Sequence, residues 1–271
     1  MTQLNQKGVR DMVQHGLRTG MAWFMVWTYT AMAPFGWAFF ACLCFLWRKD
    51  PHLRAVRLQR VQTRAYRFMH SWLRWSGITN FDHRRPIGGL PDGPSVVIAN
   101  HPTLMDITSI TAVVGSGCTI IKPAMFNRRL LHGLLVGAGH IEGPGADVLS
   151  IGRILEDAVD RLQQGFTIIV FPEGTRSRGS KLLPFGRTPF EIACRAGVPL
   201  VSMTVQCDPV YLSKEVPVLR PPHPVPELRL GVLAIDYPRS EGLGSRELRK
   251  KVEARYHAWI EKPAKASVSS P

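Results

Sequence analysis

The sequence has too few cysteines, in the wrong arrangement, for a disulfide framework or a structural zinc site. It contains five cysteines in 271 residues, an odd number, and no Cys-x-x-Cys pair. They are Cys42, Cys44, Cys118, Cys194 and Cys207. Such usage is typical of a reducing compartment, and we interpret all five as buried or membrane-embedded thiols. The histidines His101, His132 and His140 lack close ligand spacing, so no bound metal is expected.

Charged residues are missing from a long stretch near the N-terminus. Residues 21–47 contain no Asp, Glu, Lys, Arg or His, and a helix of this length, about 40 Å, could cross a hydrocarbon core of about 30 Å. Pro34 and Gly36 interrupt its middle, which allows either a kinked span or a re-entrant helix that enters and leaves one membrane face. The stretch ends in Arg48 and Lys49 instead of a small-residue cleavage site, which argues against a cleaved signal peptide.

Acidic residues are absent from the segment that follows. Residues 53–75 contain six arginines and no acid, and five of these arginines recur at three- or four-residue steps, on one face of a helix. Trp72, Trp75 and other apolar side chains lie between them. A basic amphipathic helix with aromatic residues is typical of a lipid headgroup layer. A solvated helix packed on a globular domain would have the same pattern.

The net charge of the chain is concentrated in the same region. The formal net charge is +14, and residues 1–85 hold 13 Lys or Arg against three acids. This distribution indicates a local anionic partner, such as a membrane surface. Nucleic-acid binding is the less favoured interpretation, because the adjoining apolar stretch already places the segment at a bilayer.

The remainder of the chain alternates short apolar runs with longer helical patterns. We predict strands over 95–99, 118–121, 166–171, 199–205 and 228–235, and helices from about 103, near 128–136, and over 147–164, 188–195 and 246–260. This alternation indicates an α/β fold, with a largely parallel sheet flanked by helices on both faces. We expect an N-terminal membrane-anchoring segment over residues 1–86, a globular domain over 87–262 and a tail over 263–271.

The first group of residues that suggests chemistry directly follows the strand at 95–99. The run Asn-His-Pro-Thr-Leu-Met-Asp occupies positions 100–106, and ligands of open α/β sheets collect at the carboxyl ends of strands. If Pro102 or Thr103 opens the next helix, Asp106 lies about one turn into it and can reach back to His101. A carboxylate on one ring nitrogen leaves the other nitrogen as a base. A polar-cap histidine beside an unrelated aspartate would look the same.

The second group follows the strand at 166–171. The run Phe-Pro-Glu-Gly-Thr-Arg-Ser occupies positions 171–177 and is followed by Arg178. Gly174 permits a tight turn, and Arg176 offers a planar guanidinium suited to a phosphate. A polar surface loop is the alternative interpretation of this run taken alone.

Together, in this order and about 70 residues apart, the two runs resemble motifs of the glycerolipid acyltransferase family, whose members acylate glycerol-3-phosphate and lysophosphatidic acid. The resemblance covers about residues 90–210, and the seven-residue second run is its most specific part. It implies that His101 deprotonates the acceptor hydroxyl and that Asp106 orients His101. The acyl thioester of coenzyme A or of an acyl carrier protein would be the co-substrate, with no bound cofactor. The implied acceptor-binding residues are Lys122, Glu173, Gly174, Thr175 and Arg176.

Two positions depart from the family pattern. Residues 122–143 resemble its second motif, but Glu142 and Gly143 follow Ile141 where the family usually supplies an arginine for the acceptor. Ser202 stands where its fourth motif usually has a second proline. The missing arginine weakens the case for an ordinary lysophosphatidic acid, and His140 is either a partial substitute or a generic core histidine.

The sequence therefore predicts a membrane-bound O-acyltransferase that acts on the hydroxyl of a lysophospholipid such as 1-acyl-glycerol-3-phosphate. Its expected partners are the lipid bilayer, the lipid acceptor and acyl-coenzyme A or acyl carrier protein, at the cytoplasmic face of the cell membrane. Another amphipathic acceptor (an amino-acid lipid, a glycolipid or a pigment lipid) is the main alternative. A thioesterase is disfavoured because no Gly-x-Ser-x-Gly elbow occurs. A non-catalytic membrane-binding protein would leave both motifs unexplained.

Overall fold

The computed structural model of the chain describes residues 2–84, 88–145, 149–177 and 182–266. Two long helices precede the α/β domain: α1 (Thr2–Leu46) and α2 (Pro51–Trp75). The domain then follows in the order β1 (Val96–Ala99), α3 (Asp106–Val114), β2 (Gly117–Ile121), α4 (Pro123–Phe126), α5 (Arg129–Gly137), β3 (Ile141–Glu142), α6 (Leu149–Gln163), β4 (Thr167–Val170), α7 (Thr188–Ala196), β5 (Leu200–Asp208), β6 (Glu227–Asp236), α8 (Pro238–Glu241) and α9 (Ser245–Ala266).

The strands form one six-stranded sheet in the order β3-β2-β4-β1-β5-β6. The first five strands in this order pair in parallel, and β6 pairs antiparallel with β5. The α/β fold with a largely parallel sheet is therefore confirmed. Because parallel strands end at the same edge, the segments after β1, β2 and β4 all emerge together.

Helices cover both faces of the sheet. Alternate residues of β1 point to opposite sides: Val96 and Ile98 pack in a core that includes residues of α6, α7 and α9. Val97 and Ala99 pack in a second core that includes Ile110 of α3. Burial on both faces explains why the central strands are continuous apolar runs without polar alternation.

Several element boundaries differ from the sequence-based expectation. Helix α1 begins at Thr2 and is 45 residues long, so the polar residues before position 21 continue the apolar helix. Helix α3 begins at Asp106, which makes the expected start at Pro102 or Thr103 wrong. Neither α4 nor β3 was expected as a separate element. Asp147, the predicted start of α6, lies outside the described residues.

Helix α2 packs one face on the domain and leaves its basic face exposed. Its buried residues are Ala55, Leu58, Gln59, Thr63 and His70. Thr63 Oγ1 donates to the carbonyl of Gly115 at the end of α3, while His70 Nε2 lies 3.1 Å from Thr108 Oγ1 nearer its start. Helix α2 therefore runs antiparallel to α3. Arg60 and Arg64 are exposed to solvent.

Helix α1 touches the rest of the chain at two separate places. Near its N-terminal part, Arg18 donates to the carbonyls of Gly77 (3.2 Å) and Pro222 (2.6 Å). Near its end, Cys44 Sγ lies 3.9 Å from the carbonyl oxygen of Gly133 in α5. Residues 29–39 between these places are exposed. Among the described helices, only the Gly16–Leu46 part of α1 is long and apolar enough to cross a membrane by length and composition.

Candidate active site

His101 and Asp106 form a direct pair at the carboxyl end of β1. His101 Nδ1 lies 2.7 Å from Asp106 Oδ2. The same carboxylate oxygen accepts the backbone N–H of Thr103 at 2.8 Å, and Thr103 Oγ1 donates to the other oxygen. The carboxylate of Asp106 therefore caps the turn and orients the imidazole at once. Because these contacts form a turn before the helix, α3 starts at Asp106. The same turn brings the side chains of His101 and Asp106 together although they are five residues apart.

The pair combines a buried carboxyl group with a partly accessible ring. Asp106 is fully buried, while the His101 side chain is 18% exposed. Burial raises the pKa of the Asp106 carboxyl group, and the hydrogen bonds from His101 and Thr103 oppose that shift because they favour the ionised form. A carboxylate can only accept, so the proton of the neutral imidazole resides on Nδ1 and Nε2 carries the lone pair.

The second motif packs directly behind the imidazole. The ring of Phe171 stacks on His101 with centroids 4.0 Å apart and an interplanar angle of 14°. The backbone N–H of Ser177 donates to the carbonyl of His101 at 2.8 Å. The motifs that follow β1 and β4 therefore form one unit, as expected from neighbouring parallel strands.

The carboxylate of Glu173 lies in the interior of this unit and accepts hydrogen bonds from both motifs. Its carboxylate is buried and accepts the backbone N–H of His101 at 3.1 Å. It also accepts the Ser177 hydroxyl at 2.9 Å and the backbone N–H of Leu183 at 3.0 Å. Sequence reasoning placed Glu173 against the acceptor, whereas the structure engages its oxygens with three groups of the protein itself.

Gly174, Thr175 and Arg176 form the turn after Glu173. Gly174 is exposed and has a φ of +66°, a left-handed conformation in which glycine is favoured. Arg176 Nη1 donates to the carbonyls of Leu212 at 3.2 Å and Ser213 at 3.3 Å. Both acceptors belong to the loop between β5 and β6. Arg178 lies outside the described residues.

Sequence reasoning missed the contribution of this β5–β6 loop, residues 209–226. Lys214 Nζ donates to Thr175 Oγ1 at 3.2 Å. The carbonyl of Leu212 also accepts the N–H of Leu104, in the turn between His101 and Asp106, at 2.9 Å. The loop carries no recognisable motif, so only its tertiary position reveals it.

Lys122 lies at the same edge but farther from the histidine. It is exposed and directly follows β2. The strand registers place it level with Pro172 and Asn100, and β2 is separated from β1 by β4. At the usual strand spacing this corresponds to about 10 Å. Lys122 and Arg176 therefore lie on either side of the strand that carries the second motif's turn.

His140 and Glu142 occupy the position of the departure from the family pattern. His140 is buried: its Nδ1 accepts the backbone N–H of Thr119 at 3.1 Å, and its Nε2 lies 3.2 Å from Gln62 Oε1. It is a core histidine that joins α2 to β2. Glu142 Oε1 accepts an N–H of Asn127 at 2.6 Å. In the described part of the chain, no group of three or more His, Cys, Asp or Glu could hold a metal ion.

Known proteins share both this fold and this site region. The acyltransferase family model matches residues 74–206. A 1-acyl-sn-glycerol-3-phosphate acyltransferase of Chlamydomonas reinhardtii is 32% identical over 42% of this chain and 35% of its own length. The 1-acyl-sn-glycerol-3-phosphate acyltransferase alpha of Homo sapiens is 33% identical over 46% of this chain and 45% of its own. The matched region thus spans less than half of these relatives.

A solved structure extends the likeness in fold to nearly the whole chain. The 1-acyl-sn-glycerophosphate (LPA) acyltransferase PlsC of Thermotoga maritima aligns with a TM-score of 0.63 and 24% identity, over 93% of this chain and 97% of its own. The match to the acyltransferase family model defines an acyltransferase domain over residues 74–206. Together with the relatives, it supports the glycerolipid acyltransferase family for this region.

Proposed function

We propose that this protein is an O-acyltransferase that moves a fatty acyl group from a thioester to the hydroxyl of a lysophospholipid. The observation that carries the proposal is the 2.7 Å contact between His101 and the buried Asp106. It supplies an oriented base at the strand edge where Arg176 and Lys122 offer positive charge. Acyl-coenzyme A or acyl carrier protein is the donor, and the protein needs no bound cofactor.

The chemistry follows from the state of the imidazole. His101 Nε2 accepts the proton of the acceptor hydroxyl while that oxygen attacks the thioester carbonyl carbon. The new C–O bond forms, the C–S bond breaks, and the imidazolium returns its proton to the departing thiolate. Asp106 stabilises the transient imidazolium. The acyl group passes directly to the acceptor, without an acyl-enzyme.

The acceptor-binding role belongs to the side of the turn that faces outward. Thr175 and Arg176 are positioned by the loop contacts. Gly174 precedes them in the same turn, and Lys122 lies beyond them across β4. Glu173 is assigned a positioning role, because its carboxylate holds His101 and Ser177 together.

The acceptor that we propose is a lipid with a phosphate group. Arg176, Lys214 and Lys122 favour an anionic headgroup. Glu142 stands where an arginine is usual in the family, so the phosphate of this acceptor is bound differently. A different amphipathic phospholipid acceptor is therefore the second candidate.

We also propose that residues 1–86 hold the domain on one face of a membrane, the cytoplasmic face. Arg18 and Cys44, about 39 Å apart along α1, both contact the folded domain. If α1 crossed the bilayer upright, its ends would lie on opposite faces and the domain would have to occupy the hydrocarbon core. A helix lying along one leaflet avoids this cost. Its exposed Trp23, Trp27 and Phe35 then face lipid.

The test is acyl transfer by detergent-purified protein and its His101→Ala variant. Labelled acyl-coenzyme A and acyl carrier protein are offered with lysophosphatidic acid, glycerol-3-phosphate and other lysolipids. We expect transfer by the wild type, with a loss of at least 100-fold in the variant. A variant at the exposed His257, His257→Ala, is the matched control and should keep full activity.

Two results would contradict the proposal. Transfer that survives in His101→Ala would remove His101 from the chemistry. Acyl release to water that depends on His101, with no acylated acceptor formed, would indicate a thioesterase instead.

A further inference from the structure

We infer that Lys214 binds the phosphate of the acceptor, together with Arg176, at the turn after β4. The inference rests on the proposed acyl transfer and specifies its substrate: a lipid that bears a phosphate group. Lys214 is not part of either motif, and only the folded chain brings it to the site.

The loop that carries Lys214 is tied to both motif turns. The carbonyl of Leu212 accepts the N–H of Leu104, from the turn between His101 and Asp106, at 2.9 Å. Arg176 Nη1 reaches the carbonyls of Leu212 and Ser213 at 3.2 and 3.3 Å. The backbone on the N-terminal side of Lys214 is therefore held by both strand-end segments.

The backbone after Lys214 is fixed as well. The buried hydroxyl of Ser213 accepts the N–H of Glu215 at 3.1 Å and the N–H of Val216 at 3.0 Å. The same hydroxyl donates to Glu215 Oε2 at 2.9 Å, which turns that carboxylate toward Ser213. The backbone at Lys214 is thus set in advance of any ligand, which favours binding.

The ammonium group retains donors for a ligand. Lys214 is exposed, and its Nζ donates to Thr175 Oγ1 at 3.2 Å. A lysine ammonium has three N–H donors, so this bond uses one of them. Thr175 adjoins Arg176, whose guanidinium has five donors. The two cations come from different loops and meet at the turn after β4.

The charge near β3 supports the turn after β4 as the phosphate site. Glu142 ends β3, which lies three strands from β1, or about 14 Å at the usual strand spacing. A carboxylate there repels a phosphate. Lys214 and Arg176 place positive charge at the turn after β4, the strand next to β1. This charge explains how an acceptor phosphate can bind although the family's second-motif arginine is absent.

The test separates the charge of Lys214 from its hydrogen bond. Lys214→Gln keeps a donor for Thr175 but loses the charge, and Lys214→Arg keeps the charge. Each is assayed with 1-acyl-glycerol-3-phosphate and with the monoacylglycerol of the same chain, which lacks the phosphate. We expect Lys214→Gln to raise KM for the phosphate acceptor about tenfold and to leave kcat and the uncharged acceptor unchanged. Lys214→Arg and the exposed Lys250→Gln should resemble the wild type.

The result that overturns the inference differs from the one that overturns the function. Wild-type transfer with an unchanged KM in Lys214→Gln, or an equal loss with both acceptors, removes Lys214 from phosphate binding. If the wild type acylates neither acceptor, the proposed function fails. Lys214 is then judged by calorimetric titration with 1-acyl-glycerol-3-phosphate, where equal affinity of the wild type and Lys214→Gln overturns the inference.

Discussion

In the proposed mechanism, the charge of Asp106 is the residue-level feature on which catalysis depends most directly after His101. We expect Asp106→Asn to lower kcat by about 100- to 10,000-fold, because a neutral amide cannot stabilise the imidazolium. The fold should survive, since asparagine can replace the contacts to Thr103 with its own oxygen and amide. Initial transfer rates and circular dichroism measure the two effects separately.

The control for this variant makes the same chemical change at an exposed site. Asp160 lies on α6 and pairs with Arg161 at the surface, so Asp160→Asn should transfer at the wild-type rate. Full activity in Asp106→Asn would show that the imidazole needs no carboxylate partner. A lost circular dichroism spectrum would show that Asp106 acts mainly on the turn.

At this scale, sequence predicts residues that meet through local geometry and misses those that meet through the fold. His101 and Asp106 are five residues apart after an apolar strand, so their contact could be anticipated. The role of Glu173 could not be anticipated, because its carboxylate accepts backbone N–H groups of His101 and Leu183, and a sequence pattern does not report such contacts. Lys214 is a further case: it belongs to neither motif and reaches Thr175 across 39 positions of sequence.

Close packing of α1, α2 and α5 at Gly137 can be tested at the level of elements. A Cβ added at Gly137 would lie 2.9 Å from Cys44 Sγ and 3.2 Å from a methyl carbon of Leu58. Gly137→Val should push α1 away from α5 and destabilise the protein by about 1–3 kcal/mol. We expect a lower melting temperature and faster maleimide labelling of Cys44, measured in a Cys42→Ser background.

A glycine in an open position provides the comparison. Gly152 lies within α6, and a Cβ added there would meet nothing within 4 Å. Gly152→Ala should stabilise the protein by up to about 1 kcal/mol. If Gly137→Val matched Gly152→Ala in stability and labelling, α1 would not pack on α5 in solution.

Element prediction succeeded where burial dictates the pattern. The buried parallel strands β1, β2 and β4 are short apolar runs, and each was expected within a residue or two of its position. The antiparallel direction of β6 was not predicted, because it depends on the path of the loop at 209–226. The start of α3 was misplaced because the Thr103–Asp106 contacts form a turn before the helix, and propensity does not report such contacts.

At the scale of the whole molecule, the proposed binding to a membrane should depend on the exposed arginines of α2 when the membrane is anionic. Each arginine near such a surface contributes about 1 kcal/mol. Changing Arg60 and Arg64 to Gln should therefore weaken vesicle binding roughly 30-fold at low salt, with a smaller effect at high salt. Sedimentation with phosphatidylserine-containing vesicles measures it. The control is the pair Arg246→Gln and Lys250→Gln, which are exposed on α9. An equal loss of vesicle binding in both pairs would show that the arginines of α2 contribute no more than other surface cations.

Stability of the whole protein should fall with acid because two core histidines are buried in the neutral form. Burial lowers the pKa of both His70 and His140 to about 4, against about 6.5 in the unfolded chain. Between these values the unfolded state binds more protons, so stability declines as the pH falls through the window. From pH 7 to pH 5 each histidine costs about 2 kcal/mol.

The predicted consequence is a fall in melting temperature of roughly 10 °C between pH 7 and pH 5, for a protein of this size. His140→Asn can still accept the N–H of Thr119 through its amide oxygen, and it no longer titrates. It should therefore reduce the pH-dependent part of the shift by about half, whatever its effect at neutral pH. The exposed His257→Asn should leave the slope unchanged. An identical slope in His140→Asn and the wild type would mean that His140 does not titrate between folded and unfolded states.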